Sequence, residues 1–168
     1  LNSRPKKECE IMNVYFICTG NTCRSPMAEA ILASIQLQNV DVRSAGIYAL
    51  EGGDMSENSK SVLEAHQISM SHSSNLVSKD DLQWADLILT MTFAHKQLVL
   101  QSYPEVQAKI FTLKEYTAPY TSKDISDPFG GDYHQYEQTY QELKQYIYIL
   151  KDKLLSDNGG SYGTKDEV

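Results

Sequence analysis

The stretch Cys18-Thr19-Gly20-Asn21-Thr22-Cys23-Arg24-Ser25 lies between a short apolar run, Val14 to Ile17, and Pro26, which opens a helical pattern. A thiol and a guanidinium six residues apart, joined by small and turn-forming residues, constrain the backbone strongly. The five residues between them must curl, and their N–H groups then converge on one centre. Asn21 tolerates the left-handed conformation that such a curl needs. Ser25 before Pro26 reads as an N-cap followed by the first helical residue, so the positive end of a helix dipole is expected to face the loop. Each of these features favours negative charge on sulfur or on a bound oxyanion. Cys18 is therefore expected to be a thiolate near neutral pH, and Arg24 to match two oxygens of the anion with its planar fork. The chemistry implied is phosphoryl transfer to sulfur, with Cys18 and Arg24 catalytic and Thr19, Gly20, Asn21, Thr22, Cys23 and Ser25 forming the binding loop.

The rest of the chain narrows the setting. At 168 residues with 41% hydrophobic side chains, one sizeable core is expected rather than two domains. A net charge of -7 and the lack of a Lys/Arg-rich run argue against nucleic-acid and membrane-surface roles. No apolar run approaches membrane-spanning length, and the first residues lack the apolar core of a signal peptide, so a soluble, cytoplasmic protein is expected. Three cysteines, Cys9, Cys18 and Cys23, do not make a disulfide framework. They do not complete a zinc site either. No metal is expected.

Met12 to Ile17 has strand length and is apolar on both faces, as buried parallel strands are. A helix is predicted over Pro26 to Leu37 and an alternating strand over Val40 to Ala45. That unit is a right-handed crossover, which places a ligand at the carboxyl end of the first strand. A helix over Ser56 to His66 follows. Ser78, with an acid three residues on, starts a short helix through Trp84. Leu87 to Leu89 is a third strand, and Thr92 caps a helix that reaches Tyr103 before Pro104. Lys109 to Leu113 is a fourth strand. The pattern predicts an α/β fold: a single three-layer domain with a four-stranded parallel sheet, helices on both faces and the phosphate-binding loop after the first strand.

Glu115 to Gly131 reads as one long irregular stretch, a length usually kept for function. Asp127 within it, stiffened by Pro128, is the candidate general acid for the Cys18–Arg24 loop. The last helix, Tyr133 to Leu155, sets Tyr136, Tyr140, Leu143, Ile147, Leu150 and Leu154 on one inward stripe. Residues 1–11 read as an extension, 12–155 as the domain, and the Gly-rich, polar segment 156–168 as a disordered tail.

The loop, taken with Asp127-Pro128-Phe129-Gly130, resembles the low-molecular-weight protein tyrosine phosphatase family over roughly Met12 to Leu155. Thr22, just before the second cysteine, is similar to the bacterial protein-arginine phosphatase branch; members acting on phosphotyrosine usually carry an aliphatic residue there. The resemblance implies hydrolysis of phosphorylated protein side chains through a cysteinyl-phosphate, with phosphoarginine favoured over phosphotyrosine and no cofactor. It also implies phosphorylated proteins as partners, inorganic phosphate as a loop ligand, Tyr48 as a pocket-wall ring and His72 as a buttress of the loop Asn. An arsenate reductase would share the loop but needs further cysteines downstream, and none follows Cys23. A cysteine phosphocarrier would have no use for Arg24 together with Asp127.

Overall fold

The computed structural model describes residues 10–157; Cys9 and the outer parts of both expected tails lie outside the described residues. Strand β1, Met12–Cys18, forms the middle of the molecule. From Val14 to Cys18 its side chains are at most 3% exposed. Alternation along the strand sends Val14, Phe16 and Cys18 into one apolar cluster and Tyr15 and Ile17 into another, so both faces of the sheet are covered. Burying an apolar side chain of this size contributes about 1.5–3 kcal/mol.

After β1 come helix α1 (Arg24–Ser34), strand β2 (Val40–Gly46), helices α2 (Glu57–Ala65) and α3 (Lys79–Trp84) and strand β3 (Leu87–Thr90). Helix α4 (Phe93–Ser102), a 3₁₀ turn, strand β4 (Ile110–Thr112), helix α5 (Leu113–Thr117) and helix α6 (Tyr133–Asp157) complete the described chain. The four strands are parallel in the order β2-β1-β3-β4. The chain leaves β1 for β2 on one side and later returns to β3 on the other. The carboxyl end of β1 is thus a switch point, where open α/β sheets bind ligands.

On one face α1, α2 and α6 bury Met27, Ile31, Val62, Tyr136, Tyr140 and Leu143 against Val14 and Phe16. On the other, Leu82 of α3 and Val99 of α4 meet Tyr15, Ile17 and Ile88. All six residues of the expected α6 stripe are buried. Ser78 and Thr92 cap α3 and α4 by accepting from the N–H groups of Asp81 and His95. No helix among the described residues is long and apolar enough to cross a membrane.

Several boundaries differ from expectation. Helix α1 stops at Ser34 rather than Leu37, because Gln36 and Asn39 take left-handed φ values of 57° and 63° without a glycine to announce the stop. The predicted irregular stretch begins later, since Thr112 and Glu115 form a reciprocal capping box that starts α5. Helix α6 runs two residues past Leu155, into the segment expected to be disordered.

Candidate active site

Strand β1 delivers Cys18 to the floor of a cavity of about 280 Å³ lined by Cys18, Thr19, Gly20, Thr22, Cys23, Arg24, Asp127 and Phe129. Asn21 sits at the turn of the loop with φ 56°, and its N–H points at Cys18 Sγ from 3.3 Å. Its side chain is fully buried and works backwards into the fold. Nδ2 donates to Ser25 Oγ (2.8 Å) and Ser44 Oγ (2.9 Å), while Oδ1 accepts from the N–H of Asn75 (3.0 Å). The Asn21 carbonyl accepts from His72 Nε2 (2.8 Å) and from the Ser74 hydroxyl (2.9 Å).

Ser25 is not the helix cap. The capping position falls at Cys23, with no side-chain cap, and α1 begins at Arg24, which puts Pro26 third in the helix. Proline is tolerated there because first-turn N–H groups have no partner within the helix. The Ser25 hydroxyl is drawn instead to Cys18 Sγ, 2.7 Å away. Ser25 Oγ accepts from Asn21, and its one proton has two acceptors in reach, Cys18 Sγ at 2.7 Å and the Ala45 carbonyl at 3.4 Å; the shorter contact is to sulfur.

Burial is the largest influence on the Cys18 thiol and holds its pKa above the usual value. Hydrogen bonds from Ser25 and Asn21 and the charge of Arg24 pull the other way without overcoming it. The donors expected to favour a thiolate are in place, and loss of water around the sulfur opposes them. Ser25→Ala is therefore predicted to move the Cys18 titration further upward, followed by thiolate absorbance, and to displace the acid limb of the activity profile to higher pH. An unmoved titration would show that the short Ser25–Cys18 contact does not favour the thiolate.

Arg24 is 5% exposed and bridges the loop to the downstream segment. Its Nη1 donates to the carbonyl of Ile125 (3.1 Å), and Nη2 lies 3.4 Å from Asp127 Oδ2. The three residues proposed for chemistry thus meet at one cavity, although 101 residues separate Arg24 from Ile125. A family model described as low molecular weight phosphotyrosine protein phosphatase matches residues 13–158 of this chain.

The chain belongs to that family. A protein-arginine-phosphatase of Geobacillus stearothermophilus is 42% identical over 86% of this chain and 97% of its own. A low molecular weight protein-tyrosine-phosphatase, PtpB, of Staphylococcus epidermidis is 41% identical over 85% and 96%. The solved structure of the arginine phosphatase YwlE, in a mutant with a phosphorylated active-site serine, superposes with a TM-score of 0.84. Its identity is 40%, covering 87% of this chain and 97% of that one.

Within this phosphatase the structure places other residues less predictably. Tyr48 does not line the cavity; its ring is 68% exposed, and it is tied to the loop through its N–H, which donates to the Thr19 carbonyl (2.9 Å). Phe129, 79% exposed, is the aromatic at the mouth. Its only signal in the sequence is its place beside Asp127-Pro128. His95 was not foreseen at all. It is buried on α4 with Nε2 2.8 Å from Thr19 Oγ1, and burial together with the charge of Arg24 holds its pKa down at about 4. It is therefore neutral near pH 7. His72 behaves oppositely: burial pulls its pKa down, but Glu29 and the Asn21 carbonyl outweigh that and hold it above the usual value.

Gly46, opposite Cys18 in the sheet register, has a steric reason that the sequence pattern does not show. A Cβ there would stand 2.5 Å from the Thr19 carbonyl oxygen and 2.8 Å from Asn21 N. The loop is packed on bare backbone. A larger hollow of about 370 Å³ between the end of α1 and the start of β2 holds no thiol and no cation.

Proposed function

We propose that this phosphatase removes phosphoryl groups from arginine side chains of proteins, in two steps, through a cysteinyl-phosphate on Cys18. The observation that carries the reading is the convergence of Cys18, Arg24, Asp127 and Thr22 on a single cavity. In the first step Cys18 attacks phosphorus in line as the thiolate, the S–P bond forms and the P–N bond breaks. Asp127 gives its proton to the leaving nitrogen. Arg24 and the loop N–H groups hold the equatorial oxygens as charge spreads over them. In the second step Asp127 takes a proton from water, whose oxygen displaces sulfur, and inorganic phosphate leaves. Ser25 eases that departure by donating to the sulfur.

Thr22 favours the guanidinium substrate. Seating a guanidinium against a purely apolar wall leaves buried donors unpaired, at roughly 1–3 kcal/mol each. A threonine hydroxyl answers one of them, directly or through a water. Phosphotyrosine is the second reading, favoured by the exposed ring of Phe129 at the cavity mouth. The setting proposed is the cytoplasm, since three cysteines, an odd number, do not make the disulfide framework of an oxidising compartment.

The test is a side-by-side assay on phosphoarginine and phosphotyrosine proteins, for the parent and for Thr22→Ile. The parent is expected to prefer phosphoarginine. The substitution is expected to swing the ratio of kcat/KM toward phosphotyrosine by at least about tenfold, or about 1.4 kcal/mol of differential transition-state binding. An unchanged ratio removes Thr22 as the determinant and returns phosphotyrosine to first place.

A further inference from the structure

The segment that carries Asp127 has neither helix nor strand, yet it is tied down closely. Ile125 donates its N–H to the Met91 carbonyl (2.8 Å) and offers its own carbonyl to Arg24. One residue later the Ser126 hydroxyl donates to Glu142 Oε2 at 2.7 Å, and the Ser126 N–H reaches the same oxygen at 3.4 Å. Having given its only proton to Glu142, Ser126 Oγ must accept from the hydroxyl of Thr139, 3.1 Å away and buried on α6.

Glu142 is itself held. Its other oxygen lies 2.8 Å from Nζ of Lys114, a buried lysine on α5 that also stands over the Tyr146 ring. A carboxylate is the one side chain that can take a lysine on one oxygen and two serine donors on the other. Such charge-assisted bonds are about twice as strong as neutral ones. None of these groups lines the cavity. Their effect on chemistry must pass through the peptide bond from Ser126 to Asp127.

We propose that Glu142 is a positioning residue for the general acid: fixed by Lys114, it locks Ser126 and so sets where the Asp127 carboxyl stands over the cavity. The inference rests on the reading of Asp127 as the acid. It adds a role for Lys114 of α5 and Glu142 of α6. Placement matters because a displacement of about 1 Å in a reacting group can slow a reaction on the order of a hundredfold.

The decisive variant is Ser126→Ala, which removes the shorter of the two bonds to Glu142 and the contact with Thr139, and leaves the Lys114–Glu142 pair intact. With a series of aryl phosphates of graded leaving-group basicity, kcat/KM, which reports the first step alone, is expected to fall by about tenfold for the poorest leaving group. The loss should shrink for the best. Ser126→Thr should restore the rate. In an Asp127→Asn background Ser126→Ala should add no further loss, because the group it positions is gone. A loss equal for every leaving group, or one that adds fully to that of Asp127→Asn, would overturn the proposal. The underlying reading fails separately: a flat leaving-group response in Asp127→Asn alone removes the acid and the inference with it. A steep response there with an unaltered Ser126→Ala enzyme overturns the inference alone.

Discussion

Cys18→Ser is expected to leave less than about a thousandth of the parent turnover while inorganic phosphate still binds. A serine hydroxyl is not ionised near neutral pH, and the site offers no spare base to take its proton. His95 is paired with Thr19 and His72 with the Asn21 carbonyl, while Asp127 is needed in its acid form. The cradle, by contrast, does not depend on sulfur. The left-handed turn at Asn21, its bonds to Ser44 and Asn75, and the seat of Arg24 against Ile125 all survive the change. Turnover on a phosphoprotein and phosphate affinity by calorimetry separate the two effects. Residual activity above that level would sink covalent catalysis at this residue.

Asp127→Asn is expected to slow turnover by roughly 10²- to 10⁴-fold, the usual worth of general acid catalysis. The substitution keeps the shape of the side chain and an oxygen for the Phe129 N–H, which now reaches Asp127 Oδ1 at 3.1 Å. What is removed is the group that gives a proton in the first step and takes one in the second. The loss should therefore follow the basicity of the leaving group, large for a guanidine and small for an activated phenol. Values of kcat/KM over such a series, which report the first step alone, measure it, and a uniform loss there would make Asp127 structural.

The parts of this molecule that were legible in its sequence are those governed by local rules. The all-apolar run of β1, the period of α6 and the caps at Ser78 and Thr92 each follow from neighbours a few residues away. What escaped depends on partners far off in the chain. Ser25 obeys the capping rule in composition, but Cys18 and Asn21 claim its hydroxyl. Helix α5, at five residues, is too short to show a period. His95 gains its place from Thr19, and Ser126 from Glu142, contacts that no spacing announces. The resemblance makes Tyr48 a pocket-wall ring; the residue stands exposed beside the loop, outside the side chains that line the cavity, among which Phe129 is the aromatic.

The reliance of the loop on β2 has a consequence for how the enzyme fails. β2 is an edge strand, paired along its length with β1 and bridged on its outer side at Gly46, which pairs with Leu76. It and the segment after it nevertheless supply the bare face of Gly46, the Ser44 hydroxyl, the Ala45 carbonyl and the N–H of Tyr48 that shape residues 19–25. Strand edges open at lower free energy than a buried centre does. A transient fraying of β2 is therefore expected to disarm the catalyst while the helices packed on β1 stay in register, so that on warming activity falls before helical circular dichroism does. An oxyanion in the loop binds only the closed form and opposes that fraying by mass action. The ligand acts as a clasp on the seam between β1 and β2.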